Sequence, residues 1–196
     1  ESLGTFYNEG SLKKRHTGTV GDLGCISFNG NKIITSGGGA VILTNNETLA
    51  EKAYYLINQA KNDPINFVHD EIGYNFKLTN VHAAIGLAQL ENIKFFLKKK
   101  KIIYDHYKNT INFSNLFKIS KKPYYANNNH WMNILEIKEF SNKRTVKKIF
   151  QKMKKANIDC RPIWKLIHTQ KPYDKCQTYK IENAYKKINN SLCLPS

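Results

Sequence analysis

The sequence has 196 residues and is poor in cysteine pairs, in arginine and in long apolar runs. Its four cysteines, at positions 25, 160, 176 and 193, form no CxxC pair and have no zinc-site spacing. Unpaired thiols of this kind are typical of a reducing compartment, so a cytoplasmic location is expected. Because no apolar run approaches the length that crosses a bilayer, we also expect a soluble protein with no membrane partner.

Arginine is scarce although the chain is strongly basic. The net charge of +16 comes from 31 basic and 15 acidic residues, yet only positions 15, 144 and 161 are arginine, the side chain that recognises phosphates and bases in a bidentate manner. We therefore interpret the excess charge as background composition and predict no nucleic-acid partner. A basic nucleic-acid-binding module stays open as an alternative, and it would bind DNA or RNA with a steep salt dependence.

The residues that are abundant indicate a folded protein, since 41% are hydrophobic and 12% aromatic. Short buried strands are predicted at 25–28 and 40–43, and a helix at 49–60. A second helix starts near residue 79 or 80, has small residues on its tightest side, and has a pattern that extends to about 107. Such a helix is expected to pack closely against another helix or subunit. From 117 onward the pattern predicts a small α+β unit with a strand at 130–137, a helix at 143–156 and a strand at 158–163.

Lys32 is the first candidate for chemistry. It lies in the loop SFNGNKIITSGGGA, with Ser27 before it and three glycines, 37 to 39, after it. A lysine that reacts with a carbonyl carbon has to reach it from a partly desolvated position, and a hydroxyl at a strand end can hold a phosphate. Composition alone favours an ordinary surface lysine. Neither the GxxxxGK[ST] nor the GxGxxG nucleotide loop is present, and the histidines have no metal-binding spacing.

Longer motifs favour a functional role for Lys32 over that of an ordinary surface lysine. The strings ESLGTFY, HTGTVGDLGCISFNGNKIITSGGGAVILTNN and EIGYNFKLTNVHAAIGLAQLENI resemble the DegT/DnrJ/StrS family of pyridoxal-phosphate-dependent nucleotide-sugar aminotransferases. HWMNILEI, RPIWKLIHTQKPY and SLCLPS resemble the smaller domain of the same family, in the same order. Within the family, the sequence is most similar to the 4-aminotransferases of the legionaminic acid and bacillosamine type.

The resemblance implies an α/β fold, the type I (aspartate aminotransferase-like) fold of pyridoxal-phosphate-dependent transferases. Residues 1–97 would be the C-terminal part of the large cofactor-binding domain, and residues 98–196 a small α+β domain that is incomplete at its end. The implied activity is transfer of an amino group from glutamate to the 4-keto group of an NDP-4-keto-6-deoxy (2-acetamido) sugar, with pyridoxal 5'-phosphate as cofactor. The family's cofactor-pairing aspartate would precede residue 1, so the chain alone is expected to be inactive.

The resemblance also implies roles for four residues of the first half. Lys32 falls on the lysine that binds the cofactor covalently and then carries protons. Ser27 falls on the serine that binds the cofactor phosphate, and Glu1 on a position that approaches the ring hydroxyl. Asn75 falls on the asparagine that reaches the phosphate in the neighbouring subunit, which implies a homodimer with shared active sites.

In the second half, Arg161 and His168 lie in a loop that the resemblance places near the nucleotide sugar, although Arg161 is equally well explained as a structural residue at a strand end. His82 stands where many family members have Gln.

Two alternatives on the same fold stay open. A dehydratase member would be expected to replace the lysine, commonly with His, so Lys32 counts against it. A regulatory member would bind without turnover.

Overall fold

A computed structural model of the chain describes residues 1–138 and 143–196, with the side chain of residue 143 left aside. The chain divides into two units, each described here by itself. The first comprises Glu1–Lys99 and Lys122–Trp131, and the second Lys100–Lys121 and Met132–Ser196. The prediction that the large cofactor-binding domain ends at residue 97 and a small domain begins at residue 98 stays a prediction.

The first unit contains three antiparallel strand pairs and two complete helices. The strand pairs are β1 (Phe6–Tyr7) with β7 (Ala126–Asn127), β2 (Gly24–Ser27) with β3 (Ala40–Leu43), and β4 (Lys61–Asp63) with β5 (Val68–His69). The helices are α1 (Glu47–Ile57) and α2 (Asn80–Glu91), followed by the start of α3 (Ile93–Ile111). The register pairs Ser27 with Ala40, so the loop between β2 and β3 leaves and returns at neighbouring points.

Side-chain caps fix where the helices of this unit begin. Asn46 accepts a hydrogen bond from the backbone N–H of Leu49 (3.1 Å), and Thr79 accepts one from the N–H of His82 (3.4 Å). The pattern that extends from residue 79 to about 107 is not one helix, because it breaks at Asn92. The Asn92 side chain donates to the carbonyl of Ala88 (2.9 Å), and its N–H turns back to Gln89 and Leu90.

The second unit contains a four-stranded antiparallel sheet in the order β6-β8-β10-β9. Its strands are β6 (Phe117–Ile119), β8 (Asn133–Ile137), β10 (Ser191–Leu194) and β9 (Arg161–Pro162). The helices are the rest of α3, α4 (Lys143–Lys155) and α5 (Glu182–Asn190). Alternate residues of a strand face the same side, and here the apolar face forms two buried clusters. These are Ile119, Leu135 and Leu194, and Ile137, Val146 and Leu192.

Three of the predicted strands differ from the structure. The strand expected at 130–137 starts only at Asn133, because His130 has φ +53°, which interrupts extended backbone. The strand expected at 158–163 is reduced to Arg161–Pro162. The strand at 40–43 forms but is not buried, since its residues alternate between exposed and half-buried.

No helix in the described ranges combines the length and the apolar composition that a bilayer crossing requires.

Candidate active site

The loop between β2 and β3 is irregular but firmly held. The N–H of Phe28 donates to the carbonyl of Gly39 (2.9 Å), which closes the base of the loop. The carbonyl of Phe28 accepts from the N–H of Ser36 (3.1 Å) and from the hydroxyl of Thr35 (3.0 Å). Ile34 and Ser36 are each only 1% exposed. With its middle anchored in this way, the loop presents Lys32 from a fixed backbone.

The Lys32 amine is enclosed on two sides. Its Nζ donates to Oε1 of Glu1 at 2.9 Å, and it lies 4.1 Å from the centroid of the Trp131 ring. The lysine side chain is 13% exposed, whereas that of Glu1 is 65% exposed. The nitrogen atom is therefore sheltered by its neighbours, while the carboxylate that pairs with it faces solvent.

Ser27 ends β2, a few residues before the lysine. Its Oγ accepts a hydrogen bond from the backbone N–H of Asn29 (3.3 Å). This bond uses a lone pair of the oxygen, so the hydroxyl keeps a proton to donate. The predicted serine is thus half-buried at the strand end, on the same loop as Lys32.

Leu78, just before α2, and Gly86, within α2, lie close to this loop. Gly39 has φ +83°, and a Cβ atom there would come within 2.5 Å of Cδ1 of Leu78, just before the helix. A Cβ on Gly86 would lie 3.6 Å from that of Ser36, which is ordinary contact. Of the small residues of α2, Gly86 lies close to the loop that carries Lys32, and the expected packing of this face against another helix or subunit stays a prediction.

Asn75 lies in a different part of the first unit. Its backbone pairs with that of Asn58, and its side chain is exposed. The rings of Tyr74 and Phe76, on either side of it in sequence, stack at 5.0 Å between centroids. The structure therefore brings Glu1 and Lys32 into contact and leaves Asn75 on an exposed, aromatic stretch.

Arg161 and His168 both belong to the second unit. Arg161 is exposed in β9, and its guanidinium pairs only loosely with Asp159, at 3.8 Å. His168 lies in a short 3₁₀ turn, where its Nε2 is 3.0 Å from the hydroxyl of Tyr185. It also lines a hollow of about 260 Å³ together with Tyr173.

The sequence analysis assigned no role to Trp131, which contacts Lys32, or to Asn129, which is hydrogen bonded to Trp131. Trp131 fell within the strand predicted at 130–137. Trp131 follows Asn31, to which it is hydrogen bonded, by 100 positions, so no local spacing links the two. Within residues 1–138 and 143–196, no group of three or more His, Cys, Asp or Glu side chains is placed to hold a metal ion.

Comparisons with known proteins agree on one family. The model of the DegT/DnrJ/EryC1/StrS aminotransferase family matches residues 1–196. EpsN of Bacillus subtilis, whose assigned name is that of a pyridoxal phosphate-dependent aminotransferase, is 37% identical over 100% of this chain and 50% of its own length. GDP-perosamine synthase of Escherichia coli is 33% identical over 92% of this chain and 47% of its own length. The chain thus spans about half the length of these curated relatives.

Among solved structures, the aminotransferase TlmJ from Streptoalloteichus hindustanus superposes with a TM-score of 0.85 at 18% identity. The match covers 98% of this chain and 50% of that one. At 18% identity, this structural similarity shows a shared fold and nothing more specific.

Proposed function

The chain belongs to the DegT/DnrJ/EryC1/StrS aminotransferase family, whose members use pyridoxal phosphate, and from this premise we propose an activity for the whole protein that carries it. The recognition of the family and of its type I fold from sequence motifs is confirmed. The proposed activity is transfer of an amino group from glutamate to the 4-keto group of an NDP-4-keto-6-deoxy (2-acetamido) sugar. Its product would enter surface-glycan or nonulosonic-acid biosynthesis, with legionaminic acid and bacillosamine as the specific candidates.

The single observation that carries this proposal is the enclosure of the Lys32 amine. A lysine whose only task is solubility extends into water, whereas this one is held 2.9 Å from a carboxylate and against an aromatic ring on a glycine-rich loop. An amine held in place in this way is positioned to attach to a carbonyl group. Because the lysine is present, the proposal also disfavours a dehydratase.

The residues near Lys32 fit pyridoxal phosphate by their chemistry. Lys32 offers an amine for its aldehyde, and Ser27 a hydroxyl proton for its phosphate. Gly37 and Gly39, with φ of +85° and +83°, allow a close backbone where a Cβ would be strained. When bound, the cofactor supplies a ring that accepts the electrons left when the donor loses its α-proton.

The roles of the protein's own groups follow from this fit. In the first half-reaction, Lys32 Nζ would remove the α-proton of the amino donor and pass it to the cofactor carbon that takes over the amine. In the second, it would take a proton back from that carbon and give it to the sugar carbon that receives the amine. Glu1 holds the Lys32 amine in place through the contact at 2.9 Å. One base thus serves both halves.

For the nucleotide sugar, we propose Arg161 and His168 as contacts. The Arg161 guanidinium is 68% exposed, and its pairing with Asp159 is long, so it can bind a diphosphate oxygen. His168 supplies a ring at the edge of a hollow. The name of the GDP-perosamine synthase relative supports a nucleotide-linked substrate for the family, while the nucleotide of this protein stays open.

We further propose a homodimer in which Asn75 reaches the phosphate site of the partner subunit. The side chain of Asn75 is exposed, and so are its neighbours Tyr74 (52%) and Phe76 (72%), which leaves Asn75 accessible to a partner subunit. We also propose a cytoplasmic location, since all four cysteines are free thiols.

The activity is tested by loading the whole protein with pyridoxal phosphate, adding glutamate and following the absorbance change to the pyridoxamine form. The loaded form is then given 4-keto-6-deoxy sugars linked to UDP, GDP or dTDP, and the amine product is identified by mass spectrometry. We expect conversion with one nucleotide class and none in a Lys32→Arg control, which keeps the positive charge. A protein that loads cofactor yet aminates none of these sugars would contradict the substrate class.

The shared site is tested by mixing two inactive variants, Lys32→Ala and Asn75→Ala, under conditions that exchange subunits. If Asn75 serves the neighbouring site, mixed dimers contain one intact site, and activity reappears on mixing. A monomeric wild type, or a mixture that stays inactive while subunits exchange, would overturn the shared site.

A further inference from the structure

Trp131 is joined to the lysine loop by two different contacts. The face of its ring lies 4.1 Å from Lys32 Nζ, and its indole Nε1 donates to the carbonyl of Asn31 at 2.6 Å. The ring is therefore held by the residue next to the lysine while it contacts the lysine amine itself. Such a ring face attracts an ammonium group and also limits the rotamers open to a long side chain.

Asn129 holds the segment that presents this ring. Its Nδ2 donates to the carbonyl oxygens of Glu1 (2.8 Å) and Leu3 (2.9 Å), and its Oδ1 accepts from the N–H of Trp131 (3.0 Å). Its own N–H donates to the hydroxyl of Thr5 (3.1 Å). Asn129 is 6% exposed, so all of these bonds are sheltered. One buried amide thus ties the backbone that carries Glu1 to the backbone that carries Trp131.

Lys32 would otherwise be poorly fixed. Its stem has four rotatable carbons, so the single contact with the Glu1 carboxylate leaves several rotamers open to it. Proton transfer needs the amine within a fraction of an ångström of its target, and a misplacement of about 1 Å can slow a reaction by about 100-fold. A second, rigid wall beside the amine removes most of that freedom.

We propose that Trp131, anchored by Asn129, is a positioning residue that sets the direction of the Lys32 amine for proton transfer. The inference rests on the proposed function, because it takes Lys32 as the base. It predicts an effect on the rate of the proton-transfer step and little effect on how much cofactor the protein holds.

The test compares Trp131→Phe with Trp131→Leu in the whole protein loaded with pyridoxal phosphate. Phe keeps an aromatic face for the amine but loses the hydrogen bond to Asn31, whereas Leu keeps apolar volume without the face. Three quantities are measured: cofactor content, the thermal unfolding midpoint, and the single-turnover rate with glutamate and with α-deuterated glutamate. A Tyr54→Leu variant is the matched control. Tyr54 lies in α1, outside the loop that carries Lys32, and the centroid of its ring is 4.9 Å from Lys77 Nζ.

We expect Trp131→Leu to hold normal cofactor but to slow the half-reaction by about 10- to 100-fold, with a larger deuterium isotope effect. Trp131→Phe should stay within about threefold of wild type, because the ring face remains. Tyr54→Leu should match wild type.

Equal rates for the loaded wild type and Trp131→Leu would overturn the inference alone. Equal losses of cofactor and unfolding midpoint in the Phe and Leu variants would also overturn it, because they would indicate a merely structural role. A wild type that attaches no cofactor to Lys32 would overturn the proposed function and, with it, this inference.

Discussion

Each unit of the chain contains a carboxylate paired with lysine, and the two arrangements are inverted. In the first unit, the lysine is the sheltered partner, with Lys32 13% and Glu1 65% exposed. In the second, the carboxylate is sheltered, with Glu136 only 6% exposed, while Lys187 and Lys118 are 51% and 49% exposed. We propose that the buried carboxylate with its half-exposed lysines serves the fold, and that the sheltered amine serves the reaction proposed for Lys32.

The Glu136 cluster has the marks of a structural ion pair. Glu136 accepts hydrogen bonds from Lys187 and from the hydroxyl of Ser120, and lies 3.5 Å from Lys118. Burial raises the pKa of the Glu136 carboxyl, but these hydrogen bonds and the two lysine charges outweigh burial, so its pKa lies below the ordinary value. The cluster links β6, β8 and α5.

Replacing Lys32 should have the largest effect on function. We expect both Lys32→Ala and Lys32→Arg to lose about 10³-fold or more in amino transfer, because neither side chain can attach the cofactor or move the proton at physiological pH. The free energy of unfolding should change little, since the paired carboxylate is already exposed. Steady-state rates and urea denaturation measure the two effects. A large loss of stability in both variants would mean that Lys32 also supports the fold, and it would contradict the contrast with the Glu136 cluster.

The carboxylates themselves are compared by Glu136→Gln and Glu1→Gln. We expect the first to lower the free energy of unfolding by about 1.5–3 kcal/mol, since it weakens charge-assisted hydrogen bonds to a buried group. Glu1→Gln should cost less than about 1 kcal/mol, as exposed pairs do, while it slows catalysis. Urea denaturation of both variants beside wild type gives the values. Equal costs would contradict the assignment of one pair to the fold and the other to the site.

Acid should remove the contribution of Glu136. Because its folded pKa is lowered, the stabilisation is fully present above the ordinary value of 4.5 and is lost as the pH falls through the lower folded pKa. The difference in stability between wild type and Glu136→Gln should therefore shrink as the pH drops below 4.5, since Gln does not titrate. Denaturation of both proteins across this pH range measures it. A difference that is constant with pH would mean that the carboxylate charge is not involved.

The smallest effect is expected in the loop between β2 and β3 that carries Lys32. A substitution there can strain the backbone without changing the charge of Lys32 or of Glu1. Gly39→Ala should destabilise by about 1 kcal/mol, because φ is +83° and the new Cβ would approach Leu78. Gly30→Ala is the control, since nothing lies within 4 Å of the position of its Cβ. Thermal unfolding should separate the two variants, and identical midpoints would mean that the loop tolerates strain at Gly39.

Local signals in the sequence predicted β2, β3, α1 and α4 but not the interruptions of the longer patterns. The starts of the first two helices and the apolar runs that became β2 and β3 were readable, because these signals act over a few residues. The break at Asn92 and the left-handed backbone at His130 were not, because single polar side chains and tertiary contacts decide them.

The candidate site was readable only through the resemblance to a family. Composition favoured a surface role for Lys32, and the motifs around it reversed that interpretation. Trp131 and Asn129 stayed hidden, since the contacts that matter join segments 100 positions or more apart. Ser27, Asn75, Arg161 and His168 keep the roles that the resemblance predicted for them, as proposals.

The most direct test of the account is to locate the cofactor bond. The whole protein is incubated with pyridoxal phosphate, reduced with sodium borohydride and digested, and the peptides are analysed by mass spectrometry. We predict a single reduced pyridoxyl group on Lys32, and none when Lys32 is replaced by Arg. A group on a different lysine, or labelling spread over many lysines, would contradict the claim that the sheltered amine of Lys32 is the reactive one.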